Sequence, residues 1–138
     1  MTNMATFDTH INKNQARYRV MDPSSQNGLD KVNGVFGFGS CTYKGKFYYF
    51  FGGLGFNKNL KVRLCTSQAV VFDPDTRSYE LMTLWHKPER LLTERRYVTT
   101  LLVDRQMLCL GGINKHGYGL SDLLSINLET RQWKELTT

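Results

Sequence analysis

The chain has 138 residues, of which 41% are hydrophobic and 12% aromatic, with twelve glycines and only three prolines. This balance is typical of a folded, β-rich domain and excludes a disordered or collagen-like chain. No apolar run approaches the roughly 20 residues that a membrane-spanning helix needs, and the formal net charge of +6 favours acidic partners.

The N-terminus and the cysteines bear on the cellular compartment. The first six residues lack the basic and apolar regions of a secretory signal. Cys41, Cys65 and Cys109 form no close pair in the sequence, and an odd number of cysteines without a signal peptide favours a reducing environment. We therefore expect an intracellular, cytoplasmic protein.

The first predicted element is a β-hairpin within residues 1–21. It matches the last two strands of the repeats described below, with a longer turn, and it would be the outer hairpin of a preceding unit. Residues 22–35 contain Asp, Pro, Ser, Asn and Gly, which predicts a connecting linker. The alternative for this N-terminal region is a disordered arm, because its composition is polar.

Two copies of one pattern follow, in residues 36–84 and 85–138. Each copy has an apolar run that ends in a glycine pair and, after a later turn, an aromatic residue. These are Gly52, Gly53 and Tyr79 in the first copy, and Gly111, Gly112 and Trp133 in the second. The glycine pairs lie 59 residues apart and the aromatic residues 54, so we expect the first copy to have five more residues in its loop. A repeat of about fifty residues with four short strands predicts a propeller blade.

The second predicted strand of each copy is apolar throughout. Residues 47–51 and 107–110 show no alternation of polar and apolar side chains, which predicts burial on both faces of a sheet. Polar turns flank the strands at residues 44–46, 74–76, 104–106 and 128–130. Because propellers typically have 4–8 blades, two blades and a hairpin leave the ring incomplete.

The pattern resembles the kelch repeat family. Residues 72–79 contain an apolar strand that ends in Asp73, a turn with Thr, and then Tyr, as kelch repeats do, and residues 126–133 have Asn in place of Asp. Arg95 or Arg96 takes the position of an arginine that many kelch repeats have before the first strand, whereas the first copy has residues 36–38 there. The resemblance covers residues 36–138.

The resemblance implies an all-β fold, namely four-stranded antiparallel blades of a kelch-type β-propeller, incomplete in this chain. It gives Asp73 a role in a turn and makes Tyr79 and Trp133 packing anchors, because they occupy equivalent positions of the repeat. The four paired glycines would be structural, since they lie where a strand turns or packs closely.

Catalytic and metal-binding motifs are absent from the sequence. His10, His86 and His116 are scattered, and no pair of cysteines has zinc-site spacing. The glycine pairs lack the Gly-Lys-Ser/Thr of a phosphate loop. We therefore expect no enzyme activity and no cofactor. The wider kelch group includes copper-radical oxidases, so an enzyme whose site lies in other blades is an alternative.

Positive charge is concentrated in the loops of one predicted face. Antiparallel strands reverse direction at each turn, so the loops after the second strands and the connections between blades emerge together. These loops carry +4 of the net +6. The candidate partner-binding residues are Lys58, Lys61, Arg63, Lys87, Arg90, Arg96 and His116.

The kelch resemblance implies a non-catalytic protein-interaction scaffold or adaptor, with precedents among ubiquitin-ligase adaptors and cytoskeletal or ciliary components. The long loop 54–69 would bind an acidic protein partner through its cations and apolar residues, unless it is only a solvated insertion. Further blades, in the same or another chain, are the second expected partner. Nucleic acid is less favoured because the loops lack interleaved aromatic and basic residues, and no membrane contact is expected.

Overall fold

The computed structural model of the chain describes residues 5–8, 17–20, 32 and 34–136. These residues form twelve β-strands and no helix. In chain order the strands are β1 (Ala5–Asp8), β2 (Arg17–Val20), β3 (Gly39–Tyr43), β4 (Lys46–Phe50), β5 (Gly53–Asn57), β6 (Val62–Cys65), β7 (Ala69–Asp73), β8 (Ser78–Met82), β9 (Thr99–Val103), β10 (Gln106–Leu110), β11 (Leu123–Asn127) and β12 (Trp133–Glu135).

Two four-stranded sheets contain most of these strands. The first blade is β3-β4-β7-β8 and the second blade is β9-β10-β11-β12, and every neighbouring pair is antiparallel. Each sheet keeps the order of the sequence, because its strands are joined as successive hairpins. The turns have two to five residues, except that residues 51–68 join β4 to β7 and residues 111–122 join β10 to β11. The all-β class with four-stranded antiparallel blades is therefore confirmed.

The N-terminal region contains one further antiparallel pair. Strand β1 pairs with β2, and Phe7 lies opposite Tyr18. The rest of residues 1–21, and the predicted linker 22–35 apart from Val32 and residues 34–35, lie outside the described residues. The assignment of this hairpin to a preceding blade stays a prediction.

The main core lies between the two blades. Tyr48, Phe50 and Val71 of the first blade pack against the second blade, whose contribution includes Met107 and Ile126. The inner strands also meet directly, because the Thr100 hydroxyl donates to the Ser40 carbonyl at 3.0 Å. The opposite face of the first blade buries a separate cluster of Tyr49, Val70, Phe72 and Tyr79. Strand β4 is therefore buried on both faces, as its continuous apolar run predicts.

Strand β10 departs from the same prediction. Met107 and Cys109 point into the core and are fully buried, whereas Leu110 is 51% exposed. Side chains alternate between the faces of a strand, and in the described structure only one face of the second blade has a neighbouring blade. The apolar run of β10 thus predicts burial on both faces, but one of these faces is open.

The blades align with an offset of 60 residues up to the end of their second strands, because β4 matches β10 residue for residue. Phe51 and Gly111 are then equivalent, and both are left-handed, with φ of 66° and 68°. Gly52 and Gly112 come next, with φ of 121° and 108°. The expected alignment of the two glycine pairs is therefore wrong by one residue, and the first loop is six residues longer rather than five.

Phe51 occupies a backbone conformation that suits glycine. A non-glycine residue in the left-handed region costs about 1–3 kcal/mol. Its ring is fully buried in the core between the blades, and such burial contributes about 1.5–3 kcal/mol. The burial of the Phe51 ring thus offsets its backbone strain. For this reason a pattern of paired glycines in the sequence does not identify Phe51 as a left-handed position.

The glycines differ in how they would tolerate a side chain. A Cβ at Gly112 would lie 2.9 Å from the Arg96 carbonyl oxygen, in a left-handed backbone. A Cβ at Gly53 would lie closest to the outer end of the Phe36 ring, a side chain that is 43% exposed, and not against backbone atoms. Gly112→Ala should therefore lower the free energy of unfolding by about 1–3 kcal/mol, and Gly53→Ala by clearly less. Denaturant unfolding of the full chain measures both, and equal losses would contradict this assignment.

Tyr79 and Trp133 occupy equivalent positions. Tyr79 lies opposite Phe72 and Trp133 opposite Ile126, each on the fourth strand of its blade. Both side chains are buried. Trp133 packs in the core between the two blades, and Tyr79 packs in the cluster on the opposite face of the first blade. Each thus lies on the face of its blade that is turned toward the preceding part of the chain.

Truncation of Trp133 tests its role as a packing anchor. Trp133→Ala should lower the free energy of unfolding by about 3–5 kcal/mol, because it removes a fully buried ring from the core. Trp133→Phe keeps most of the contact and should cost much less. Thermal or denaturant unfolding gives both values, and a loss below about 1 kcal/mol for the alanine variant would argue for a surface role instead.

Candidate protein-interaction surface

The insertion between β4 and β7 is an ordered antiparallel hairpin, β5–β6, rather than an irregular loop. Its base is attached to the connection between the blades, because the Gly52 amide donates to the Arg95 carbonyl at 2.8 Å. Its second strand is attached to the β10–β11 loop, since the Arg63 amide donates to the Lys115 carbonyl at 3.2 Å. Loops from both blades thus meet on one face, as hairpin alternation predicts.

Arg95 is the buried centre of this meeting point. Its guanidinium donates to both carboxylate oxygens of Asp122, at 2.6 and 2.9 Å, and to the Gly111 carbonyl at 3.2 Å. The same group lies 5.2 Å from the centroid of the Phe51 ring. Arg95 therefore links the connection, the glycine turn and the end of the β10–β11 loop. A bidentate arginine–carboxylate pair of this kind is both strong and geometrically specific.

Arg96 is also buried, at 6% exposure. One of its guanidinium nitrogens, Nη1, donates to the Asn114 carbonyl at 3.0 Å and contacts the Cys65 sulfur at 3.3 Å. The sequence predicts Arg96 on the exposed partner surface, and the burial of its side chain corrects this prediction. The side chain fills the space between the hairpin and the β10–β11 loop, so it supports the surface from below.

Removal of the Arg95 side chain should destabilise the contacts between the connection, the glycine turn and the β10–β11 loop. Arg95→Ala leaves the carboxylate of Asp122 without its partner and should cost about 3 kcal/mol, at the low end for a broken buried pair because Asp122 is partly exposed. Arg95→Ala/Asp122→Ala removes both charges and should cost less than the sum of the single variants. A double-mutant cycle from denaturant unfolding measures the coupling, and additive losses would show that the pair is not linked.

The tip of the hairpin presents cations and apolar side chains to solvent. Phe56 and Leu60 are exposed, and the Arg63 guanidinium lies 5.7 Å from the Phe56 ring centroid. The turn is held by Asn57, whose side-chain oxygen accepts from the amides of residues 59 and 60, each at 3.0 Å. Lys58 and Lys61 lie in this turn and are exposed.

The neighbouring β10–β11 loop adds a second set of exposed groups. Asn114 accepts with its side-chain oxygen from the amides of His116 and Tyr118, both at 3.0 Å. The rings of His116 and Tyr118 lie 6.5 Å apart and both are exposed. We define the hairpin surface as these exposed groups of the two loops: Leu54, Phe56, Lys58, Leu60, Lys61 and Arg63, with Lys115, His116 and Tyr118.

The hairpin surface contains no acidic residue. None occurs in residues 53–66 or 113–121, and within the described part of the chain no carboxylate lies within ion-pair distance of Lys58, Lys61 or Arg63. On the opposite face the turns also carry carboxylates, and two of their cations are paired: Lys44 lies 2.8 Å from Glu129 and Arg131 2.8 Å from Glu80. The hairpin side is therefore the face on which cations lie together without acidic residues.

Glu129 shows what pairing does on that opposite face. Lys44 and the Tyr43 hydroxyl both donate to its carboxylate, at 2.8 and 2.6 Å, and these hydrogen bonds lower the pKa of Glu129 below its ordinary value. A lowered carboxylate pKa stabilises the fold above its unfolded value of 4.5, and this contribution disappears as the pH falls through the folded pKa. The contact joins a turn of the first blade to a turn of the second.

Arg90 lies apart from the hairpin surface in its contacts, and Lys87, on the same connection between the blades, is exposed. Arg90 is paired with Glu135 at 2.6 Å, and its guanidinium lies 5.4 Å from the Trp133 ring centroid. The His86 ring also packs against the Trp133 ring, and the centroids of the two rings are 4.4 Å apart. A cleft of about 480 Å³ opens here, beside the outer strands of the blades. The structure therefore groups Lys58, Lys61, Arg63 and His116 on two adjoining loops, places Arg96 beneath them, and pairs Arg90 elsewhere.

Lys115 and Tyr118 of the hairpin surface are not among the sequence candidates. Their loop is brought to the hairpin by the backbone contact between Lys115 and Arg63, which are far apart in the chain, and by the buried Arg96 between the two loops. The placement of Tyr118 between Gly117 and Gly119 was the one local signal of an exposed turn.

Within residues 34–136 and the other described positions, no group of three or more His, Cys, Asp or Glu could hold a metal ion. No helix of the described structure is long and apolar enough to cross a membrane.

The stacked four-stranded sheets define a segment of a β-propeller. Residues 94–138, which include the second blade, match the family model of the Kelch motif. The Kelch motif that the resemblance implies is thus confirmed for the second repeat.

Known structures agree with this fold. One similar solved chain, titled "Structure of YjhT", has a TM-score of 0.69 and 14% sequence identity. The alignment covers 98% of this chain and 45% of that one, so this chain spans less than half the length of the structure that it matches. At this identity the likeness concerns the fold alone. A comparison with curated protein sequences gave no match.

Proposed function

We propose that the chain is part of a non-catalytic protein-interaction scaffold or adaptor, and that it binds an acidic segment of a partner protein through the hairpin surface. One observation carries the proposal: two ordered loops from different blades form a continuous, acid-free surface of unpaired cations and exposed apolar side chains. The kelch-propeller fold is compatible with a protein-interaction module, although fold by itself does not decide function.

The two kinds of side chain would have different roles in binding. Lys58, Lys61 and Arg63 carry charges of one sign, which accelerate the encounter with an acidic partner and make that rate fall with ionic strength. Phe56 and Tyr118 are large aromatic groups that keep their contacts at low entropic cost, and such residues dominate binding energy at interfaces.

The order of the loops supports the same proposal. Asn57 and Asn114 hold the two turns through side-chain hydrogen bonds to the backbone. A surface that is already ordered before binding loses less conformational entropy when a partner docks. This favours a recognition surface over a mobile insertion.

Single-stranded nucleic acid is the second candidate, and a specific observation favours it. In sequence the loops lack interleaved aromatic and basic residues, but in the fold Phe56 and Tyr118 lie among Arg63, Lys115 and the lysines of the hairpin. Stacking platforms with cations along them are typical of such binding. The experiment below therefore includes an RNA probe.

The intracellular and cytoplasmic location, with a cytoskeletal or ciliary role, stays a proposal. Cys41, Cys65 and Cys109 are free thiols, and burial raises the pKa of Cys41 to about 11 and that of Cys109 to about 12. Thiols of this kind are unreactive core residues, which fits a reducing compartment. An enzyme whose site lies in other blades stays the alternative to a scaffold.

Charge reversal on the hairpin tests the proposed surface. Lys61→Glu/Arg63→Glu should weaken binding of a fluorescein-labelled peptide, roughly twelve residues of Asp and Glu around one Leu, by about tenfold or more. The free energy of unfolding should change by no more than about 0.5 kcal/mol, because both side chains are exposed. Fluorescence anisotropy at several salt concentrations and denaturant unfolding give the two results.

A matched control separates this surface from net charge. Lys46→Glu/Arg77→Glu makes the same charge change on the opposite turns and should leave binding within about twofold. Equal weakening by both double variants would overturn the proposed site. Tighter, steeply salt-dependent binding of a labelled oligouridylate than of the peptide would favour the nucleic-acid candidate.

A further inference from the structure

Tyr97 is an exposed aromatic residue in a strained backbone conformation. Its φ is 57°, in the left-handed region that favours glycine. By the 60-residue offset its equivalent in the first blade is Gly37, which has the same conformation with a φ of 61°. The repeat therefore requires a left-handed residue before its first strand, and a glycine meets this requirement without strain.

Burial does not explain why a tyrosine takes this position. Among the described residues the other left-handed aromatic is Phe51, whose ring is fully buried in the core between the blades. Tyr97 is instead 57% exposed, so burial of its ring offsets less of the strain. Strained backbone positions cluster at ligand-binding and active sites. The side chain of Tyr97 is thus a candidate for a role outside folding.

The fold holds the Tyr97 ring beside a second exposed ring. The Tyr97 amide donates to the Gly37 carbonyl at 2.6 Å, and the ring lies against Gly37, where a Cβ would come within 2.7 Å of its Cδ1 atom. The ring of Phe36, which is 43% exposed, has its centroid 6.1 Å from that of Tyr97, at an interplanar angle of 57°. We call Phe36 and Tyr97 the aromatic pair.

The aromatic pair adjoins the hairpin surface through the backbone. Phe36 exchanges two hydrogen bonds with Gly53 at the base of the hairpin, at 3.2 and 2.7 Å. Arg96, next to Tyr97, exchanges two with Ile113 at the base of the β10–β11 loop, at 3.0 and 2.9 Å. The pair therefore lies where both loops of the hairpin surface begin.

The charges and distances around the aromatic pair indicate which ligand it takes. No acidic residue occurs in residues 34–43 or 95–103, so the acid-free surface continues across the pair. Strand β5, Gly53–Asn57, leads from the pair to the cations of the hairpin tip, over about 13 Å. An extended peptide covers this distance with about four residues. Two tilted rings offer a third ring one stacked and one edge contact.

We propose that the aromatic pair binds an aromatic side chain of the partner segment, about four residues away from the acidic residues that meet the hairpin cations. The inference rests on the proposed function, because it assigns the anchor of the same partner. Aromatic anchors commonly supply a large share of the binding energy, whereas exposed charges chiefly set the encounter rate. The partner is therefore recognised by an aromatic residue at a defined distance from its acids, and not by charge alone.

Matched peptides test the proposal on the full 138-residue chain. The first is labelled with fluorescein and has a central Trp, with a Gly-Ser-Gly spacer and then a short acidic run on each side. The second has Ser in place of Trp, and the third has the acidic runs directly beside the Trp. Fluorescence anisotropy should show about tenfold tighter binding of the first peptide than of the other two.

Variants of the aromatic pair make the result specific. With Tyr97→Gly the Trp and Ser peptides should bind within about twofold of each other, while the affinity for the Ser peptide stays unchanged. Because Gly37 adopts the same conformation, the melting temperature should fall by no more than about 4 °C. Phe36→Ala should also reduce the preference for Trp. Leu81→Ala on the outer strand β8 is the control, because Leu81 is 46% exposed, and it should keep the tenfold preference.

Photocrosslinking locates the anchor. Benzoylphenylalanine in place of the Trp should attach to the segments around residues 36 and 97, as mapped by mass spectrometry. Attachment to Phe56 or Tyr118, or an unchanged preference for Trp in Tyr97→Gly, would overturn this inference and leave the acidic-peptide result standing. Absence of binding by every peptide would instead overturn the proposed function together with this inference. Weaker binding of a labelled oligouridylate, but not of the Trp peptide, to Tyr97→Gly would assign the pair to a nucleic-acid base and overturn it as a protein anchor.

Discussion

The burial of one sheet face against the next blade is the constraint on which the rest of this structure depends. A four-stranded antiparallel sheet with apolar side chains on both faces cannot be stable alone in water, so each face needs a neighbour. Phe50 and Val71 meet Met107 and Ile126 for this reason. The relative position of the blades then decides which loops meet and which side chains stay exposed.

Backbone geometry at the ends of the second strands follows from this packing. The chain must turn where it leaves the core, and the first blade turns at Phe51 and Gly52 while the second turns at Gly111 and Gly112. Arg95 joins these turns, since its guanidinium covers the Phe51 ring and donates to the Gly111 carbonyl. One buried side chain thus couples the two repeats at the point where their loops diverge in length.

The hairpin surface is a consequence of the same coupling. The first loop is six residues longer than the second, and its residues 53–65 form the hairpin β5–β6. This hairpin has no core of its own and is held by Arg96 and by the backbone of the neighbouring loop. Its charged and aromatic side chains are exposed to solvent, because Arg96 and the backbone contacts that hold the hairpin lie beneath them. The opposite face mixes cations with carboxylates, among them Glu129 paired with Lys44 and Glu80 paired with Arg131, and so offers no comparable excess of positive charge.

The sequence by itself determined the class of fold, the four strands of each blade, the turns around Asp73 and Asn127, and the loop face, because these depend on local periodicity and on the antiparallel rule. It also marked most cations of the hairpin. Only the tertiary structure decided that Arg96 is buried, that the loop with Tyr118 lies beside the hairpin with Phe56, and that Phe51 takes a glycine conformation, because each depends on contacts between residues far apart in the chain. The open face of β10 belongs to the same group: an apolar run predicts that both faces need cover, but only the placement of the blades shows which face has it.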